Sequence, residues 1–401
     1  MTLHYEFPWL ANISQVLPLI EGRKEFIVAE RDYGVIINYI MQTGNTFPEV
    51  KTNDDAILHE LRGIIFHKET GKIIARRLHK FFNYGEKMYG EALDVSQRHV
   101  VMEKVDGSMI TPIFVNGSPR WGTKMGITEI GMAAETFIYT HRNMDYNGLA
   151  FDCESLNATP IFEYCSTNPD YQVVVRHPEE RLVLLHIRDK ITGKYWKRSV
   201  VEHFAYVYSV PIVEVYDYKL TDAATFVELI RQNSDVEGVV IQFDDGHMVK
   251  VKTDWYLALH RAKAAIEKEK DVAMIIVNDS LDDMLPLQPP EMQERLKRYR
   301  DAVWMDIGDF AVDVTVRIRE RHAAGESRRD FAIATQAWDH SKRSACFHLW
   351  DAPDDADLYN RVVEWTKENI MKSCSSNQNF EKVAYGIMPN ARWKEVTNGE
   401  G

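Results

Sequence analysis

Lys104-Val105-Asp106-Gly107 is followed down the chain by Phe162-Glu163, then Val236-Glu237-Gly238, then Lys250-Val251-Lys252. As chemistry, that succession offers a lysine nucleophile, two carboxylates and a lysine pair for phosphate. An uncharged amine attacks phosphorus well, but near neutral pH it forms only where desolvation or nearby cations disfavour the ammonium. Lys250, Lys252 and a bound metal ion are the candidates for that influence. Asp106 suits the sugar of a nucleotide or the orientation of the lysine, and Gly107 lets backbone approach a ligand closely. Glu163 and Glu237, each closing an apolar stretch, suit a hydrated metal that neutralises a triphosphate. Each residue also has a plain reading: Lys104 as a hairpin lysine, Glu163 as a strand-end charge, Lys250 and Lys252 as a solvated edge.

The elements around these residues decide whether they can meet. Residues 100–103 read as a strand running into Lys104, and 109–115 as a strand leaving Gly107-Ser108, which puts the lysine at the mouth of a sheet. Residues 249–252 alternate apolar and basic, so Lys250 and Lys252 share one strand face. From about residue 25 to 255, short apolar or alternating runs (26–29, 35–39, 63–66, 73–75, 173–175, 182–187 and 239–243) are separated by turn formers such as Asn116-Gly117 and Asp245-Gly246. That is the pattern of antiparallel strands. Helical periodicity interrupts it at 127–143 and 223–233, then dominates over 256–270, 290–321, 328–350 and 357–371. An α+β fold follows, with a boundary near residue 258: an antiparallel-sheet domain over 1–258, its first 25 residues an extension, then an all-helical domain over 259–401.

Taken in order, these segments resemble the phage RNA ligase 1 family of ATP-dependent covalent nucleotidyltransferases, over about residues 25 to 260. Lys104-Val105-Asp106-Gly107-Ser108 is similar to that family's first motif, Phe162-Glu163-Tyr164 to its third, and Leu184-Leu185-His186-Ile187-Arg188 to the one after. Val236-Glu237-Gly238 and the 250–256 run are similar to the fourth and fifth. Upstream, Leu61-Arg62-Gly63-Ile64-Ile65-Phe66 and His79-Lys80-Phe81-Phe82-Asn83 match segments that the family places before the lysine, and Thr123-Lys124-Met125-Gly126 matches one after it. The resemblance implies an ATP-grasp-like ligase domain in which Lys104 carries AMP. It implies catalytic roles for Lys250, Lys252 and Glu237, and nucleotide contacts for Arg62, Lys80, Phe82, Glu103, Asp106, Gly107, Lys124, Glu163, Arg188 and Tyr256. Glu163 and Glu237 would hold Mg2+ or Mn2+. The implied partner is RNA with 5′-phosphate and 3′-hydroxyl ends, nicked tRNA among them, in RNA repair. The implied chemistry passes AMP from ATP to Lys104, then to the RNA 5′-phosphate, and then releases it as a 3′-hydroxyl seals the end. The alternatives are a DNA-end ligase, a capping-type enzyme using GTP, and an RNA-end binder without activity.

Composition sets outer bounds. A chain of 401 residues, 45% hydrophobic and 27% charged, can bury a large core in two or three units. The formal net charge of -12 argues against an evenly basic nucleic-acid binder, so phosphate contacts require local patches. Candidates are the run Lys72, Arg76, Arg77, His79 and Lys80, the stretch 181–198, the cluster Arg295, Lys297, Arg298 and Arg300, and a set of arginines from Arg317 to Arg329 that, with Trp304, suits structured RNA. Taken without the motifs, each of these runs reads first as a solvated face. Four scattered cysteines suggest neither a zinc site nor a disulfide framework and point to a reducing compartment. No signal pattern or long apolar window appears, so the expectation is a monomer in the cytoplasm, that of the host if phage-encoded, with no membrane partner.

Overall fold

The computed structural model describes residues 6–86, 97–218, 222–351 and 357–393. It divides into two compact units, Met1–Leu257 and Ala258–Gly401.

The first unit opens with β1 (Phe26–Arg31), β2 (Gly34–Tyr39), β3 (Arg62–Phe66) and β4 (Ile73–Ala75), which pair antiparallel in chain order as one sheet. There follow β5 (Phe82–Asn83), β6 (His99–Glu103), β7 (Ser108–Val115), β8 (Ser118–Gly122) and β9 (Ala158–Cys165). Then come β10 (Arg181–Asp189), β11 (Val215–Tyr216), β12 (Gly238–Phe243) and β13 (Met248–Lys252). Two further sheets result, in the orders β10-β9-β7-β8 and β11-β6-β12-β13-β5. Pairing is antiparallel except for β13 against β5, which runs parallel and sets Lys250 opposite Asn83. That exception lays the Phe81-Phe82 segment beside the lysine strand.

Side-chain caps start the helices that pack on these sheets. Thr52 accepts the Asp55 N–H in a capping box ahead of Asn53–Glu60, Thr128 accepts from Gly131 ahead of Glu129–Thr140, and Asp222 accepts from Thr225 ahead of Ala223–Arg231. The antiparallel sheets and the helical second unit agree with the sequence reading, but residues 173–175 form no strand. The N–H groups of Val174 and Val175 are taken instead by the Asp106 carboxylate, at 2.8 and 2.7 Å. A carboxylate that captures two successive amides leaves none for a ladder.

In the second unit the helix Pro290–Ala323 starts with proline in its first turn and buries Leu296, Tyr299, Val303, Ile307, Phe310, Val314 and Ile318, a stripe at steps of three and four residues. The 328–350 stretch breaks into Arg328–Ala334 and His340–His348, because Asp339 accepts the Ser341 N–H and caps a new helix. The arginine set expected to face RNA is largely neutralised: Arg317 pairs with Asp313, Arg321 with Glu326 and Arg328 with Asp351. Trp304 packs on the unit's hydrophobic core. The four cysteines are free and buried. Among the described residues no helix is long and apolar enough to cross a membrane.

Candidate active site

Strand β6 ends at Glu103, and the next residue keeps the ladder going: the Lys104 N–H donates to the Gly238 carbonyl at 2.9 Å. That bond fixes where the Lys104 side chain departs. Glu237 precedes β12 and Lys252 ends β13, and Gly238 is paired with Lys252 across those strands. The three charges therefore converge. Lys104 Nζ lies 2.7 Å from Glu237 Oε2, and Lys252 Nζ 2.8 Å from Glu237 Oε1. Gly238 has φ +145, and a Cβ there would sit 2.0 Å from the Val251 carbonyl, so the turn into β12 needs glycine. Gly107 is required by crowding rather than torsion: its Cβ would meet the Tyr164 carbonyl at 2.4 Å.

Lys104 lines a cavity of about 510 Å³ together with Arg62, Glu103, Asp106, Gly107, Lys124, Glu163, Glu237 and Tyr256, all in the first unit. Apolar side chains also line it, among them Leu78, Phe81, Met102, Leu185, Val213, Val240 and Met248, together with His186 and the hydroxyls of Ser108, Thr123 and Thr128. The charged groups suit phosphates and the apolar ones a flat, uncharged ring.

Burial opposes charge throughout, and the neighbours decide the outcome. Burial works against the Glu237 carboxylate, but the Lys104 and Lys252 ammoniums overcome it and hold the group below the ordinary carboxylate range. Glu163 lacks such compensation: burial pushes it up to about 8 against the pull of Lys104, with Glu237 adding repulsion. Burial, then the charges of Lys104, Arg62 and Lys80, brings Lys250 down to about 7. Burial and the Arg62 charge likewise lower Lys124, and burial raises Glu103.

Asp106 is fully committed to protein groups. Besides the Val174 and Val175 amides, its carboxylate accepts the Tyr256 hydroxyl at 2.8 Å, and its carbonyl lies 2.6 Å from His177 Nε2. It pins the 174–177 segment to the nucleophile turn, a role the sequence reading did not assign, and a contact to a nucleotide sugar would have to displace one of those donors.

Other expected residues stand apart from the cavity. Arg188 is fully buried and spans Glu60 with both outer nitrogens at 2.7 Å, beside Arg76, so it belongs to an internal ion cluster rather than a phosphate site. Lys80 donates to Gln42 at 2.8 Å and lies over the Phe82 ring, and Phe82 is core; the exposed face of that pair belongs to Phe81, over which Lys250 sits at 5.6 Å. The basic run 72–80 is not a surface patch, because Arg76, Arg77 and Lys80 are buried. Lys250 and Lys252 stand behind the wall, Lys252 reaching it through Glu237.

A metal fits Glu163 and not Glu237. Glu237 has both oxygens on lysines, whereas Glu163 lines the cavity with its burial uncompensated. Among the described residues no three acidic, histidine or cysteine side chains gather as a metal cage. A cation here would draw its other ligands from water and substrate oxygens, as hard divalent cations at phosphate sites do.

The apolar wall was the part that sequence reading missed. Leu78, Leu185, Val213 and Met248 are ordinary core residues in any pattern, and only the fold turns them towards Lys104.

The chain is similar to several known proteins. A family model described as RNA ligase, of the T4 type, matches residues 60–256, which contain every cavity-lining residue named above. A Thermovibrio ammonificans protein carrying the provisional name RNA ligase is 28% identical over 305 residues, 72% of this chain and 74% of its own. RNA ligase 1 of bacteriophage TS2126 is 27% identical over 283 residues, 68% of each chain. Among solved structures, an archaeal ATP-dependent RNA ligase aligns at 14% identity with a TM-score of 0.46, over 63% of this chain and 64% of its own. Through residues 60–256 the chain is similar to the T4-like RNA ligase family, and the two relatives above carry RNA ligase names.

Proposed function

We propose that this RNA ligase seals 5′-phosphate to 3′-hydroxyl RNA ends at the expense of ATP, through AMP held covalently on Lys104. The observation that carries the assignment is the shared Glu237 carboxylate, which holds Lys104 and Lys252 together at the wall of a nucleotide-sized cavity. Lys104 Nζ attacks the α-phosphorus of ATP, a P–N bond forms, and the bond to pyrophosphate breaks. Glu237 Oε2 is the acceptor placed to receive the amine proton. AMP then passes to the RNA 5′-phosphate, and the 3′-hydroxyl oxygen displaces it to form the phosphodiester. Catalysis of this kind is mostly positioning and charge neutralisation.

The apolar wall takes the adenine ring, and Arg62 and Lys124 meet the outgoing phosphates. Lys252, held at the wall by Glu237, and Lys250 beyond it add positive charge towards the α-phosphate. Glu163 would hold a hydrated Mg2+ or Mn2+, which supplies neutralising charge for the polyphosphate. Residues 1–258 form the adenylyltransferase domain, of ATP-grasp-like ligase type. The protein acts as a monomer in this reading. A nicked tRNA loop is the folded substrate to set against a plain single strand.

The test is sealing of 5′-phosphorylated oligonucleotides supplied with ATP or GTP, on RNA and DNA ends side by side. ATP-dependent joining of RNA supports the assignment. Joining with GTP alone, or of DNA ends alone, overturns it.

A further inference from the structure

Arg62 and Lys124 are like charges facing one cavity, and the Arg62 charge already weighs on Lys124. Two cations so placed separate unless the backbone under them is held. Arg62 stands on β3 beside Gly63, and Lys124 lies just past β8, in a turn closed by reciprocal Thr123 and Gly126 backbone bonds of 2.9 Å. The two segments touch directly: a Cβ on Gly63 would lie 2.6 Å from the Lys124 Cα.

Arg77 joins them. Arg77 is 2% exposed, and its guanidinium donates through one outer nitrogen to the Gly63 carbonyl and lies through the other 3.4 Å from the Gly122 carbonyl. Its Nε is buried without a partner, and no carboxylate pairs with it among the described residues. A buried cation supported by carbonyl dipoles, with only Tyr33 as a favourable electrostatic neighbour, is costly. Stability is a poor reason to keep it, whereas a planar fork that spans two carbonyls fixes the spacing of two strands in a way a point charge does not.

We propose that Arg77 is a positioning residue, which sets the distance between Arg62 and Lys124 by tying together the backbone under each, and so preorganises an anion site across the cavity. Arg77 never meets the ligand. The anion is a polyphosphate, and its identification as that of ATP rests on the function proposed above.

The test is calorimetric titration of inorganic tripolyphosphate into the full chain and into Arg77→Met, Lys124→Ala and the double variant, with circular dichroism as the check on folding. Arg77→Met should weaken binding about tenfold, and in the Lys124→Ala background the same change should cost less than about twofold, because the tie then has one cation to place. An unchanged affinity in Arg77→Met, an equal loss in both backgrounds, or no binding to the parent chain would overturn the proposal. Arg77→Lys keeps the charge but cannot reach both carbonyls, and it should bind about threefold more weakly than the parent. Parity there overturns the two-carbonyl tie, and this variant carries the test if Arg77→Met does not fold. A parent chain that binds tripolyphosphate but forms no AMP adduct would defeat the proposed function and leave the Arg77 assignment standing.

Discussion

Replacing Glu60 by Gln should cost the first unit more stability than any change at its surface. Glu60 is 3% exposed and accepts from Arg76 Nε at 3.0 Å and from both outer nitrogens of Arg188 at 2.7 Å, while both arginine side chains are fully buried. Burial alone would raise its carboxyl, yet the two guanidinium charges hold it below the ordinary range. Glutamine keeps the shape and removes the charge, so two cations are left buried without a counter-ion. Breaking a buried pair in this way costs about 3–5 kcal/mol, and the loss here falls at or above the upper end because one carboxylate serves two arginines. For a unit of this size the melting temperature should drop by roughly 10–20 °C. Hydrogen exchange of the β3 and β10 amides, read by mass spectrometry across a urea series, reports this unit separately from the helical one. The sign with pH also follows. A carboxyl held low in the folded state stabilises above its ordinary value, and that contribution fades as pH falls, so the parent should lose its advantage over Glu60→Gln on acidification. A loss below about 1 kcal/mol at neutral pH would refute the reasoning, since it would mean that the two arginines find other compensation.

Further outcomes follow from the cavity. Glu237→Ala should slow AMP adduct formation by about a hundredfold or more, because Lys104 and Lys252 lose their shared acceptor, as quench-flow with labelled ATP would show. Lys250 titrates at about 7 and is charged below that value, so tripolyphosphate affinity should fall as pH rises through it, and Lys250→Arg should remove the fall in a calorimetric pH series. Glu163, raised to about 8, keeps its proton in the folded chain where the unfolded chain has lost it. Its burial therefore penalises the fold increasingly as pH climbs to that value, and Glu163→Gln should gain stability over the parent across the same range, measured by thermal melts.

Legibility in the sequence followed the range of the interaction. Lys104, Glu163, Glu237 and Lys252 were readable because their segments stand in the order of the family they resemble, and those four do converge. The helical second unit was readable too, since the stripe from Leu296 to Ile318 is a local period. Arg188 and Lys80 were misplaced because a charge at motif spacing says nothing of its partners: Glu60 lies 128 residues from Arg188, and Gln42 lies 38 from Lys80. Phe81 and Phe82 could not be told apart without the parallel β13/β5 pairing, which turns one ring to the cavity and the other to the core. The loop held by Asp106 reads as a strand in any pattern of consecutive valines, and only the carboxylate 68 residues away overrides it.

The central claim is that Lys104 is the group that bonds to AMP. Incubation with ATP and Mg2+, followed by digestion and peptide mass mapping under acid conditions that preserve a phosphoramidate on lysine, should place one adenylyl group on the peptide holding Lys104. None should appear in Lys104→Ala, whose circular dichroism stays that of the parent. An adenylyl group that maps to another residue, or that persists in Lys104→Ala, would contradict the account.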